Sequence, residues 1–226
     1  MYVYIRAMVK NDKGKPSKNR KVLKYGLIGL VSIFLLYNSF YVVSLDSRIS
    51  KQVDGEAELL ADMYLTERLP EVLASAPEPC ALLQALTQED ADWGQYGKQT
   101  NIGNRYYFLV RGEGIVEEIN DSFVRIKFGA GPEACSLRLA TVYIFGNEIR
   151  DASGELRLED VGELTKFNAI SEIINKQVRE QVVPAFLDAV QVGQRVSVQG
   201  AFALNKRLGI TADFEVMPTQ LQIITE

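Results

Sequence analysis

The residues best suited to ligand chemistry are two adjacent charged side chains and two amides in the C-terminal half of the chain. Arg150 precedes Asp151 directly, and Asn168 and Asn175 lie seven residues apart, about two turns on one face of a predicted helix. Arginine offers a planar fork of donors and aspartate accepts hydrogen bonds, so the pair suits the vicinal hydroxyls of a sugar. The alternative is structural: the pair forms a buried ion pair, and the amides cap or solvate the helix.

Catalytic motifs are missing from the sequence. The chain contains no histidine, which excludes Ser-His-Asp and Cys-His nucleophilic arrangements and zinc sites of mixed His/Cys type. Paired carboxylates can hydrolyse glycosides, but Glu113, Glu117 and Glu118 have the pattern of a solvated strand edge. We therefore expect that the protein is not an enzyme and binds no cofactor. The alternative is an exported carbohydrate-active hydrolase.

Aromatic and sulfur-containing residues add two further hypotheses. An aromatic face suits the apolar C–H surface of a sugar ring, although such residues more often belong to a core or its rim. The two cysteines are too few for a thiolate metal cage. In an exported domain they can form one disulfide, and two separate buried thiols are the alternative. The residues concerned are Trp93, Tyr96, Tyr106 and Tyr107 for stacking, and Cys80 and Cys135 for the disulfide.

An apolar segment near the N-terminus predicts where the protein resides. Residues 25–45 carry no formal charge and are long enough to cross the roughly 30 Å hydrocarbon core as a helix. Residues 1–24 hold eight basic residues and one acid, so the tail should stay in the cytoplasm and the C-terminal part should be periplasmic. We expect an uncleaved, single-pass signal anchor in the inner membrane, because the apolar region of a cleaved signal peptide is shorter.

The charge balance argues against nucleic acid as a partner. After Lys24 the chain carries 17 basic and 28 acidic residues, a net charge of −11. Phosphate backbones are bound by clustered lysines and arginines, and they repel an acidic domain.

Residues 46–104 are predicted to form a helical connector section. Leu59, Leu60, Met63 and Tyr64 have helical spacing, and Pro70 should kink this helix or begin a new turn. A second short helix is expected around Leu82–Leu86. The apolar stripe of the whole helical section predicts packing on the sheet that follows, and a spacer that holds the domain away from the membrane is the alternative.

Residues 105–226 change to a period of two and predict five strands with one helix. The first strand, 106–119, contains Gly112 and Gly114, where we expect a bulge or sharp coil. The remaining strands are predicted at 124–128, 135–145, 192–204 and 210–218, the last with Ala212, Phe214 and Val216 inward. An irregular stretch, 146–163, precedes a helix whose buried face carries Phe167, Ile170, Ile174, Val178 and Val182.

The order of three strands, one helix and two strands (β-β-β-α-β-β) predicts the fold. It is the order of an OB-like five-stranded barrel, whose helix lies between the third and fourth strands and plugs the base. The predicted class is therefore α+β, mainly β, with an N-terminal transmembrane helix and a helical front section. An open α+β sheet with the same order is the alternative.

The sequence also resembles a known family. The segments 96–119, 146–178 and 192–204, with Gly112–Val116, Gly146, Arg150-Asp151 and Asn175 as their most specific parts, are similar to predicted periplasmic lipoproteins of unknown activity. Genes of that family tend to accompany ribose-type sugar ABC transporters. The resemblance implies a periplasmic accessory or binding protein with transporter components as partners. It departs at the N-terminus, where the lipid-bearing cysteine is missing.

Overall fold

In the computed structural model the chain is described over residues 18–39, 55–99, 103–211 and 214–225. It divides into two units, Met1–Arg48 and Ile49–Glu226. The first unit contains helix α1 (Lys18–Ser39), whose apolar side chains from Val22 to Leu35 are 50–69% exposed where they are described. Among the described residues, no helix combines the length and the apolar character that crossing a bilayer demands. The basic tail before Lys18 and the last part of the predicted anchor, 40–45, lie outside the described ranges.

The second unit begins with three short helices. Helix α2 (Gly55–Met63) continues through a π-helical segment, Tyr64–Arg68, into α3 (Leu69–Ala74), and α4 (Pro79–Leu86) follows. Pro70 lies inside this continuous helical run, just after the π-helical segment, since Arg68 before it is also helical (φ −78°, ψ −48°). The helix therefore continues past Pro70 with a local π-helical distortion and does not begin anew there.

Five strands form a closed barrel. They are β1 (Arg105–Ile119), β2 (Phe123–Phe128), β3 (Cys135–Ala140), β4 (Arg195–Asn205) and β5 (Glu215–Ile223), in the spatial order β1-β2-β3-β5-β4. The pairs are antiparallel except β3 with β5, which are parallel, and β4 closes the barrel on β1. The open sheet is therefore wrong, and the five-stranded OB-like barrel is confirmed.

Four further α-helices of the described chain lie between β3 and β4. They are α5 (Glu148–Ser153), α6 (Leu158–Val161) and α7 (Leu164–Gln177), which runs through a π-helical segment, Val178–Val182, into α8 (Val183–Leu187).

Two hydrophobic cores hold the unit together. The first fills the barrel with inward side chains of all five strands, together with Leu82, Trp93 and Phe186. The second lies between the outer face of β1 and β4 and a layer formed by α2, α3, α5 and α7. Only the C-terminal end of the long helix, through Phe186, reaches the barrel interior. The expected plug is therefore confined to α8, and α7 belongs to the outer layer.

Several predicted boundaries are wrong for identifiable reasons. The third strand ends at Ala140 rather than at 145, because Ile144 turns into the second core while Tyr143 and Phe145 are exposed. The fifth strand begins at Glu215 and continues to Ile223, and the predicted inward residue Ala212 lies outside the described ranges.

The first strand bulges at a different place from the one predicted. Its register with β2 shifts between Val116 and Glu118. Gly114 instead permits close approach, since a Cβ there would lie 2.5 Å from the carbonyl oxygen of Lys127.

Candidate functional site

The Arg150-Asp151 pair lies on a helix, which corrects the prediction of an irregular segment. Helix α5 is only six residues long, and residues 149–153 are all buried. Ile149 and Ala152, three residues apart, face the second core. Gly154 ends the helix with a φ of 70°, a left-handed conformation that glycine adopts without steric cost. Two apolar residues in six gave too little periodicity to predict this helix from sequence.

Arg150 and Asp151 form a buried ion pair. Nε and Nη2 of Arg150 each lie 2.8 Å from Oδ1 of Asp151, and the two side chains are 4% and 5% exposed. Nη1 of Arg150 donates to the carbonyl oxygen of Phe167 at 2.9 Å. The guanidinium also stacks on the Phe167 ring, 3.5 Å from its centroid. The pair thereby joins α5 to α7.

Tyr64 supports α5 from the helical front section. Its side chain is fully buried, and its hydroxyl lies 2.8 Å from the carbonyl oxygen of Ile149 and 2.9 Å from Oγ of Ser153. Burial raises the pKa of Tyr64 above its usual range, since the phenolate would lose its hydration. The sequence marked Tyr64 only as part of an apolar stripe. Its polar role depends on a helix 85 residues away, which no local pattern indicates.

A cavity of about 530 Å³ opens beside the ion pair, and we call it the Arg150 cavity. Arg150 and Asp151 form part of its wall. Its other polar and charged lining residues are Lys98, Gln99, Asn147, Arg157, Glu159 and Asn168. Its apolar lining residues are Leu156, Leu158, Leu164 and Phe167. The cavity thus combines fixed charges, adaptable amides and apolar walls, as small-molecule sites do.

The two predicted asparagines have different environments in the structure. Asn168 is exposed and lines the Arg150 cavity with the ion pair. Asn175 is 3% exposed, and its Nδ2 donates to the carbonyl oxygen of Gly146 at 2.9 Å. Asn175 does not line the cavity, so it holds the loop before α5 instead.

No pattern in the sequence predicts the other polar residues of this cavity. Lys98 precedes β1 and forms backbone hydrogen bonds with Tyr107 in both directions, each 2.8 Å long. Its aliphatic stem passes over Gly154. Arg157 and Glu159 belong to the connection through α6. Because these residues converge only through the fold, spacing along the chain could not predict them.

The three glutamates considered as catalytic carboxylates face separate partners. Glu113 pairs with Arg195 at 2.7 Å, Glu117 accepts from Oγ of Ser136 at 2.7 Å, and Glu118 pairs with Arg125 at 3.0 Å. The Arg125 hydrogen bond, with a second one from Asn120, lowers the pKa of Glu118.

The four candidate stacking aromatics are divided between the two cores and the surface, and none of them lines the Arg150 cavity. Trp93 and Tyr106 contact each other edge to face at 5.9 Å in the barrel core, and Tyr107 lies in the second core. Tyr96 is 42% exposed and does not line the Arg150 cavity.

Cys80 and Cys135 are joined by a disulfide, which ties α4 to β3. Both cysteines of the chain are thereby engaged, so neither offers a thiol for lipid attachment. In the part of the chain that the structure describes, no group of three or more Asp, Glu or Cys side chains is arranged to hold a metal ion.

Comparison with known families places the chain in one of them. The pattern of a family described as predicted periplasmic lipoprotein (DUF2291) matches residues 30–222, most of the chain. The chain belongs to the DUF2291 family. Membership makes it a membrane-associated periplasmic protein, and it confirms the family resemblance seen in the sequence. Both cysteines of this DUF2291 member are in a disulfide, so neither of them can carry the lipid of a lipoprotein.

A solved structure confirms the fold. The crystal structure of an OB-fold protein from Thermotoga maritima MSB8 is 26% identical to this chain, with a TM-score of 0.67. The similarity covers 74% of this chain and 98% of that chain. No curated protein matches the chain.

Proposed function

We propose that this DUF2291 member is a membrane-anchored periplasmic accessory protein that binds a small polyhydroxylated solute, such as a sugar, in the Arg150 cavity. The observation that carries the proposal is the cavity of about 530 Å³ with a buried ion pair in its wall. Its size falls within the usual range for ligand sites, and its lining mixes apolar walls with a few oriented polar groups.

The residues present can be given separate roles. The Arg150-Asp151 pair is held by Phe167 and forms a rigid polar wall, so little conformational entropy is lost there on binding. Asn168 and Asn147 offer amide donors and acceptors for hydroxyls. Leu158 and Leu164, which are 42% and 60% exposed, would cover the apolar face of a sugar ring. The proposed role is binding without catalysis.

The proposed location is the periplasmic face of the inner membrane. Residues 25–45 would act as an uncleaved signal anchor, with the basic tail in the cytoplasm. The apolar side chains that the structure describes along α1 are exposed, which supports this location, since a membrane would cover such an apolar surface.

The proposed partner is a sugar ABC transporter, through its permease or its binding protein. The resemblance to lipoproteins whose genes accompany ribose-type transporters supports this partner. Affinity purification of the tagged full-length chain from detergent-solubilised membranes tests it. The expected result is co-purification of a permease or solute-binding protein at a constant ratio, and recovery of the chain alone would contradict it.

A thermal-shift screen tests the ligand class. The full-length chain in detergent is heated with pentoses, hexoses and polyols at millimolar concentration. A sugar that binds the folded state raises the melting temperature in proportion to its saturation. Asn168→Leu should abolish the shift without lowering the basal melting temperature, because Asn168 is exposed.

A further inference from the structure

A second concave surface lies along β5. It consists of two adjoining cavities of about 320 and 270 Å³ that share Gln181, Val182, Thr219 and Gln220. We call this surface the glutamine groove. One side is formed by β5 and the other by the helical stretch from Gln177 to Phe186.

The glutamine groove carries no charged residue. Every residue that lines either cavity is apolar or uncharged polar, although the chain after Lys24 has a net charge of −11. The apolar lining includes Leu65, Leu69, Leu73, Val182, Phe186 and Leu221. Five glutamines frame it: Gln177 and Gln181 on the helix, and Gln199, Gln220 and Gln222 on the sheet. Each amide presents both a donor and an acceptor, as a peptide backbone does.

Among the described residues, the helical stretch from Val178 to Leu187 packs against β5 beside this groove, and no strand covers the groove-facing edge beyond Val216. β5 pairs with β3 only at Glu215 and Val216, and from Met217 onward no strand lies beside this edge in the described part of the chain. The N–H of Ile224 donates to the carbonyl of Arg195 at 2.9 Å. Because antiparallel pairing alternates, the backbone groups of Leu221 and Ile223 point away from β4 and toward the groove.

Two further features distinguish this edge from a protected one. Edge strands are normally shielded by charged side chains or proline, yet residues 216–225 contain no charge, and Pro218 stands only at the beginning. In addition, Thr219 lines both cavities, and its Oγ1 is buried without a hydrogen-bond partner among the described residues. A buried hydroxyl without a partner is costly, and rotation of the side chain toward a polar group bound in the groove would satisfy it.

We propose that the glutamine groove binds an extended, uncharged polypeptide segment of a partner protein, which adds a strand to the free edge of β5. The strand's backbone would bond to Leu221 and Ile223, while alternate side chains enter the apolar floor. The glutamine amides and the Thr219 hydroxyl favour a peptide over a lipid chain, since an acyl chain would leave these groups unpaired. This inference does not depend on ligand binding in the Arg150 cavity.

The test is selection of a random dodecapeptide phage library on the full-length chain in a lipid nanodisc, after depletion on empty nanodiscs. Selected peptides are synthesised and their affinities measured by fluorescence polarisation. The proposal expects uncharged sequences rich in β-branched residues. Gln181→Arg combined with Gln220→Arg should weaken their binding at least tenfold, because both side chains line both cavities and both are exposed.

Matched variants separate groove binding from effects on folding. Gln84→Arg combined with Gln88→Arg adds the same charges at exposed positions outside the groove, and it should bind like wild type. Thr219→Val removes the unpartnered hydroxyl, so it should weaken peptide binding at least threefold without lowering the melting temperature.

Four outcomes would overturn the proposal. They are no enrichment of peptides, enrichment of charged peptides, equal binding to the groove variant, and loss of binding in both double variants. Two other occupants would show themselves directly. A dimer in light scattering that the groove variant dissociates would assign the surface to a second copy. Binding to phosphatidylglycerol vesicles that the same variant removes would assign it to lipid.

Discussion

Arg150 and Asp151 are consecutive in the chain, and both nitrogens of the arginine that face the aspartate lie 2.8 Å from the same carboxylate oxygen. The pair is almost completely buried, so removal of Arg150 takes the paired guanidinium away from a buried carboxylate. Arg150→Ala should lower the free energy of unfolding by about 3–5 kcal/mol. Urea denaturation of the full-length chain in detergent measures this loss. Arg157→Ala, at an exposed position in the same cavity wall, is the control and should change stability little.

The two asparagines of α7 should respond differently to the same substitution. Asn175→Ala leaves the carbonyl of Gly146 without its donor, and should cost about 1–3 kcal/mol of unfolding free energy. Asn168→Ala removes an exposed amide and should stay within about 0.5 kcal/mol of wild type. Equal losses in a thermal melt of the two variants would show that Asn175 does not have the structural role assigned to it.

The sequence predicts the barrel more completely than it predicts the candidate site. The alternation of Val196, Val198, Phe202 and Leu204 predicts β4 and its buried face, since the two-residue period of a strand is a local property. Helix α5 was missed because its six residues are stabilised by tertiary partners such as Tyr64. Most wall residues of the Arg150 cavity cannot be predicted for the same reason. The exceptions are Arg150, Asp151 and Asn168, whose side-chain chemistry alone makes them candidates.

Tyr64 should make the fold sensitive to alkaline pH. Its folded-state pKa is raised above the ordinary value of 10.0, so its stabilising contribution is complete below pH 10 and is lost as the pH rises toward the folded pKa. Relative to Tyr64→Phe, wild type should lose up to about 1.4 kcal/mol per pH unit above pH 10. Unfolding curves between pH 8 and pH 11 measure the difference. Tyr143→Phe, at an exposed tyrosine, should follow wild type throughout.

The disulfide should contribute a large part of the stability of the barrel unit. It closes a loop with a sequence separation of 55 residues, for which the chain-entropy relation gives about 4 kcal/mol. Treatment with a reductant should therefore lower the melting temperature of wild type. The Cys80→Ser, Cys135→Ser double variant should start at the lower temperature and show no further change with reductant. A wild-type melting temperature that reductant leaves unchanged, despite complete reduction by thiol titration, would contradict this contribution.

Isothermal titration of D-ribose into the full-length chain tests the proposed solute site most directly. The prediction is saturable binding with one site per chain, weakened at least tenfold by Asn168→Leu and unaffected by Gln84→Arg, which lies outside the Arg150 cavity. Asn168 is exposed, so both variants should keep the wild-type melting temperature. Absence of heat with D-ribose and with every sugar that shifts the melting temperature, or equal affinity in the Asn168 variant, would contradict solute binding in this cavity.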